Sequence, residues 1–183
     1  MTQVLYGGTS PPEFADFSGF KRPARKRPEP LVSLVDACKD ANIFGPWFQP
    51  RNQWIPWFVF LNVISGTKLT KEETIIYEEC TEREYIFKPN SNPFEELWMV
   101  CGRRAGKTRM MALLAVYFSC FYDWSPFLAP GERGTVALLA ADRKQARTAF
   151  RYVTGFFDNV ELLKDFVTRS TGELFDLRNQ ITD

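Results

Sequence analysis

The eight residues Cys101-Gly102-Arg103-Arg104-Ala105-Gly106-Lys107-Thr108 constrain this chain more than any other stretch. They follow an apolar run, Leu97-Trp98-Met99-Val100, and precede a long apolar stretch beginning at Met110. The predicted local order is therefore strand, glycine-containing turn and helix, with the turn ending in Gly-Lys-Thr. A phosphate-binding P-loop has this arrangement. Backbone N–H groups of the turn and the open N-terminus of the next helix wrap phosphates. Lys107 then reaches the β- and γ-phosphates, and the Thr108 hydroxyl ligates Mg²⁺. The general pattern G-x-x-x-x-G-K-[ST] has glycine where this chain has Cys101, with Gly102 one place later, so the loop starts on a different path. A surface turn with a basic helix start is the plain alternative.

The length of 183 residues suits one ordinary domain with an appended segment. A hydrophobic fraction of 45% and 15% aromatics predict a real core rather than global disorder. Net charge is only +1, so it announces no polyanion partner, but local charge is uneven. Lys21 to Arg27 carries bases and no acid, whereas Glu72 to Glu84 is mostly acidic. Cys38, Cys80, Cys101 and Cys120 show no C-x-x-C pairing, and the absence of histidine disfavours a zinc site. Cys101 and Cys120 fall in apolar runs and read as buried thiols of a reducing cytoplasm. Met1 to Gly19 lacks the charged and apolar regions of a secretory signal, and the apolar run Met110 to Phe118 is too short to span a bilayer. No secretion and no membrane association are expected.

Three regions are expected. Residues 1–30, with Gly7-Gly8, Pro11-Pro12 and the basic stretch Lys21 to Arg27, read as a flexible arm. That arm either contacts nucleic-acid phosphates or solubilises the chain. Residues 31–92 form a helical preface. Its helices are predicted over Leu31 to Phe44, stopped by Gly45-Pro46, from near Trp54 to Ile64, and from a Thr70/Glu73 capping box to about Glu84. Residues 93–183 form an α/β unit: a buried strand at Glu96 to Cys101, a helix from Lys107 to about Tyr122, and a loop at Phe127 to Gly134. A second buried strand follows at Thr135 to Ala141, then a helix from Asp142 to about Phe157, and a third strand starting near Glu173 to Leu177. The predicted fold class is an incomplete parallel-sheet P-loop NTPase core preceded by a mostly helical segment.

An acidic residue at the end of an apolar strand is the second requirement of a P-loop hydrolase. The run Val136 to Asp142 is the one match, but Arg143 follows it where a general-base Glu would stand. Asp142 reads better as the N-cap of the helix bearing Gln145 and Arg147. A parallel sheet uses roughly 30 residues per βαβ unit. The segment from Thr108 to the chain end therefore holds two more strands, and the chain reads as the front of an ATPase core.

From Trp54 to Asn179 the sequence resembles the large subunit of tailed-phage terminases, the ATP-driven motors that pump DNA into proheads. The resemblance is carried by Gln53-Trp54-Ile55-Pro56-Trp57-Phe58, Gly102 to Thr108, and Leu128-Ala129-Pro130-Gly131-Glu132-Arg133-Gly134. Ala141-Asp142-Arg143-Lys144-Gln145-Ala146 and Leu174-Phe175-Asp176-Leu177-Arg178-Asn179 complete it. It implies ATP and Mg²⁺ as cofactors, with Gly102, Arg103, Arg104, Ala105, Gly106, Lys107 and Thr108 as the Walker A loop. Arg103 or Arg104 would sense the γ-phosphate with its guanidinium fork, unless it pairs with a surface carboxylate. Gln53 resembles the adenine-contacting glutamine, with an exposed loop glutamine as the bland reading. Trp54, Trp57 and Phe58 read as core packing rather than base-stacking residues. The implied partners are double-stranded DNA, further copies in a homo-oligomeric ring, the small terminase subunit and the portal, in the cytoplasm of an infected bacterial host. The family's Walker B strand, coupling motif and nuclease have no counterpart here. The 183-residue chain is accordingly expected to bind nucleotide weakly without sustained turnover. A small P-loop phosphotransferase using Asp142 for its metal, and a non-catalytic nucleotide- or DNA-binding fragment, are the alternatives.

Overall fold

The computed structural model describes residues 28–87, 99–171 and 174–177. The expected Lys21–Arg27 arm and residues 96–98 of the first expected strand lie outside them. Helix α1 (Leu34–Lys39) starts where the Ser33 hydroxyl accepts from the Asp36 N–H, and it buries Leu34, Val35, Ala37 and Cys38. It is shorter than the apolar spacing predicts, because the chain folds back on its end. The Gly45 N–H donates to Asp40 O at 2.7 Å, and a Cβ on Gly45 would lie 2.5 Å from that same oxygen. Only glycine permits so close an approach. Two short 3₁₀ turns, Gly45–Phe48 and Arg51–Trp54, then lead into α2 (Ile55–Ile64), with Pro56 in its first turn.

Helix α3 (Lys71–Thr81) has the expected capping box: the Glu73 N–H donates to Thr70 Oγ1 and the Thr70 N–H to Glu73 Oε2. The Asn62 amide, buried on α2, donates to the other Glu73 oxygen at 2.9 Å, so one carboxylate starts α3 and ties it to α2. Helices α4 (Lys107–Cys120) and α5 (Arg143–Asn159) pack against each other, and α6 (Glu161–Lys164) follows. Strands β1 (Val167–Ser170) and β2 (Phe175–Leu177) pair antiparallel.

The parallel-sheet NTPase core predicted from the sequence is not the observed architecture. Helices account for 53% of the described residues, and the sheet has two antiparallel strands. Residues 99–101 and 135–140 form no strand. Val100 and Leu139 are fully exposed, at 102% and 93%, where a buried parallel strand would hide them. An unbroken apolar run becomes such a strand only with pairing neighbours and helices on both faces. Here the apolar side of α4 is covered by α5 and the preface helices instead. Of the strand expected from Glu173 to Leu177, Phe175–Leu177 forms β2, which pairs locally with β1, and the Thr171 N–H meets Leu174 O at 2.8 Å. Two antiparallel strands need no crossover helix.

One apolar cluster draws on all the helices except α3. Phe44 and Phe48 from the preface, Leu113 and Tyr117 from α4, and Phe156 from α5 are fully enclosed. Phe44 meets Phe156 edge-on at 5.2 Å, and Phe48 meets Trp54 at 5.1 Å and 90°. Such pairs add about 0.5–1.5 kcal/mol each beyond area burial. The Tyr117 hydroxyl donates to Val32 O at 2.6 Å, and the Leu31 N–H to Phe121 O at 2.9 Å, pinning the start of the described chain to the end of α4. Among the described residues, no helix is long and apolar enough to cross a membrane.

Cys120 is buried as expected, whereas Cys101 is half-buried. Burial pushes the Cys38 and Cys120 thiols up to about 12, and it raises the Tyr117 phenol as well. In the unfolded chain these thiols ionise near 9. Above that pH the unfolded state therefore binds fewer protons than the folded one, and stability falls as pH rises. Urea unfolding between pH 8 and 11 should show this loss, approaching about 1.4 kcal/mol per pH unit for each buried thiol. At neutral pH, exposed Cys80 should react with a thiol reagent well before Cys38 and Cys120.

Candidate phosphate-binding loop

Two residues with positive φ shape the turn before α4: Arg104 at 63° and Gly106 at 89°. The left-handed region suits glycine, but for a residue with a Cβ such as Arg104 it costs on the order of 1–2 kcal/mol. The surrounding packing holds it there. The Trp57 indole N–H donates to Ala105 O at 2.8 Å. The edge of the Trp54 ring lies so close that a Cβ on Gly106 would meet its Cζ3 at 2.9 Å and its Cη2 at 3.1 Å. Trp54 and Trp57 are buried, as core packing requires, but their outer edges form the seat of the loop.

Helix α4 opens with Gly106 as N-cap, and no side chain caps it. Its first-turn N–H groups therefore point out of the helix end with the positive pole of its dipole. The Lys107 ammonium folds back across the turn and donates to Gly102 O at 2.8 Å and Cys101 O at 3.1 Å. It thereby links the two ends of the loop, and its charge sits beside the backbone that precedes the helix. Gly102, Arg103, Arg104, Ala105 and Lys107 are exposed, while Thr108 is half-buried on the first turn. These are the donors an anion needs: exposed N–H groups, one ammonium and two guanidinium groups within six residues. One hydroxyl, from Thr108, is also a fitting protein ligand for a Mg²⁺ whose other ligands are phosphate oxygens and water.

The structure brings residues 102–108 together but leaves Gln53 turned aside. Gln53 is exposed on the turn before Trp54, and its side-chain nitrogen donates to Gln49 O at 3.2 Å. Asp142 is the N-cap of α5, with Oδ1 accepting the Gln145 N–H at 2.8 Å and Oδ2 its side-chain nitrogen at 2.9 Å. Among the described residues, no group of three or more His, Cys, Asp or Glu side chains can hold a metal ion.

Arg109 belongs to the site although nothing in the loop motif singles it out. Its Nη1 donates to Trp47 O at 2.7 Å, and its guanidinium lies 5.1 Å from the Trp54 ring and 5.7 Å from Tyr152 of α5. One side chain thus joins the preface, α4 and α5 directly beneath the loop. Arg109 Nε and Trp54 Nε1 are buried with no hydrogen-bond partner among the described residues. The sequence signal is a second cation two residues after Lys107, just before the helix turns apolar. No protein-family model, curated protein or solved structure matches this chain, so the functional reading rests on the loop's own chemistry.

Gly106→Ala forces a Cβ into Trp54 at a positive φ and is expected to lower stability by about 1–3 kcal/mol in urea unfolding. Trp57→Phe, which removes the indole N–H together with part of a buried ring, should cost about 1–3 kcal/mol.

Proposed function

We propose that residues 102–108 bind the triphosphate of ATP together with Mg²⁺. On this reading the chain is the nucleotide-binding part of a DNA-packaging motor of the terminase large-subunit kind, using ATP hydrolysis to translocate double-stranded DNA into proheads. The observation that carries the reading is the Gly106-Lys107-Thr108 turn, left-handed at glycine, seated on two tryptophans and opening an uncapped helix of fourteen residues. Lys107 leaves its hydrogen bonds with Gly102 O and Cys101 O for the β- and γ-phosphates, Thr108 ligates the cation, and Arg103 or Arg104 meets the γ-phosphate. The oligomeric ring, the small terminase subunit, the portal and the infected host's cytoplasm accompany this reading through the sequence resemblance. Asp142 favours it over a phosphotransferase, because its carboxylate is engaged in capping α5.

Titration with a fluorescent ATP analogue in Mg²⁺ is the test. Lys107→Ala should weaken binding at least tenfold with unchanged circular dichroism, and Arg104→Gln should weaken it less. Asp142→Ala should leave nucleotide binding intact while lowering stability by about 1 kcal/mol through loss of the cap. Unchanged affinity in Lys107→Ala would overturn the proposal.

A further inference from the structure

A protein holds a nucleotide base through an aromatic face on which it stacks, or through side chains that meet its hydrogen-bonding edge. Where the preface meets the loop, groups of both kinds are already engaged. Trp54 has the Arg109 guanidinium 5.1 Å from its ring centre and meets Phe48 at 5.1 Å and 90°. Its outer edge supports Gly106, and its indole nitrogen is closed off from solvent. Trp57 meets Phe60 at 5.7 Å and 89°, and its N–H donates to Ala105 O. Both indoles are buried.

The turn leading into Trp54 is polar, Gln49-Pro50-Arg51-Asn52-Gln53. Gln49 Nε2 donates to Gly45 O at 3.4 Å, Arg51 Nη2 to Lys39 O at 2.9 Å and Gln53 Nε2 to Gln49 O at 3.2 Å. Asn52 Oδ1 accepts the Gln53 N–H at 2.9 Å. Every polar side chain of this stretch is thus bonded to the protein's own backbone. A base that recruited one of them would exchange a bond already made for another, which gains little. The exposed groups of the loop are of a different kind: the Lys107 ammonium, the Arg103 and Arg104 guanidinium groups, and the backbone from Gly102 to Ala105. Such groups at a helix N-terminus suit phosphate oxygens.

We infer that the loop recognises a polyphosphate chain and is indifferent to the base, so that its ligands are nucleoside triphosphates in general together with inorganic tripolyphosphate. This rests on the reading of residues 102–108 as a nucleotide site and states what that site selects. The cations Arg103, Arg104 and Lys107 lie between positions 103 and 107, and a triphosphate offers oxygens to all three. Guanidinium forks bind phosphate oxygens two at a time, whichever nucleoside the chain carries. The indole edges of Trp54 and Trp57 shape the loop that holds the phosphates, and the base gains no contact from them.

The experiment is isothermal titration calorimetry of the full 183-residue chain at one free Mg²⁺ concentration, with ATP, GTP, CTP, inorganic tripolyphosphate and adenosine. ATP, GTP, CTP and tripolyphosphate should bind within about fivefold of one another, and adenosine should give no measurable heat. Lys107→Ala, folded by circular dichroism, should weaken all four by at least about tenfold. Gln53→Ala should change the ATP and tripolyphosphate affinities in equal proportion, because a disturbed turn acts on the loop and not on the base. The inference is overturned, and the nucleotide reading kept, if ATP exceeds GTP or tripolyphosphate by more than that margin. Adenosine binding, or a loss in Gln53→Ala confined to ATP, has the same consequence. If none of the four phosphate compounds binds, or Lys107→Ala changes nothing, the nucleotide reading falls and the inference with it.

Discussion

The seating of Gly106 against Trp54 is the contact on which the rest of the site depends. A turn that must pass through two left-handed residues has little local reason to hold that shape, and Arg104 opposes it. The shape persists because the preface supplies a flat, rigid indole edge on one side and a hydrogen bond from Trp57 to Ala105 O on the other. Arg109 then locks the tryptophan from below, its guanidinium bridging Trp47 O, the Trp54 face and the Tyr152 ring. Loop geometry is in this sense a property of the preface helices, and the start of α4 is held from three directions.

The same interactions explain why a mainly helical body forms. Once Phe44, Phe48, Trp54 and Phe156 close around Leu113 and Tyr117, the apolar surface of α4 is satisfied by helices and aromatic turns. The two short apolar runs at 99–101 and 135–140 then have nothing to complete, and Val100 and Leu139 remain on the surface. Helix packing is built from contacts near in sequence, whereas a parallel sheet needs distant strands brought into register. The antiparallel β1–β2 pair is a local hairpin and carries no such requirement.

Charge is distributed in a related way. Three helices start on a side-chain acceptor: Ser33 begins α1, Thr70 with Glu73 begins α3, and Asp142 begins α5. Each places an acceptor where helix N–H groups need one. Two places break the pattern. Helix α4 starts without a side-chain cap behind a basic loop, and α5 follows its cap with Arg143 and Lys144.

The sequence by itself determined what depends on neighbours a few residues apart. The Thr70–Glu73 box, Pro56 in the first turn of α2, the cap at Asp142, and the extents of α4 and α5 were legible from spacing and residue type. So was the Gly-Lys-Thr turn opening α4. Apolar periodicity cannot say which partner an apolar run will meet, so residues 99–101 and the strand expected at Thr135 to Ala141 were misread, and β1 passed unnoticed. Arg109, Tyr152 and Trp47 are distant in the chain, and their meeting beneath the loop follows only from the packing of α4 on α5 and the preface. Local hydrogen bonding and steric rules are written residue by residue; the choice between sheet and helix as cover for α4, and the seat on which the loop rests, were decided by contacts across the fold.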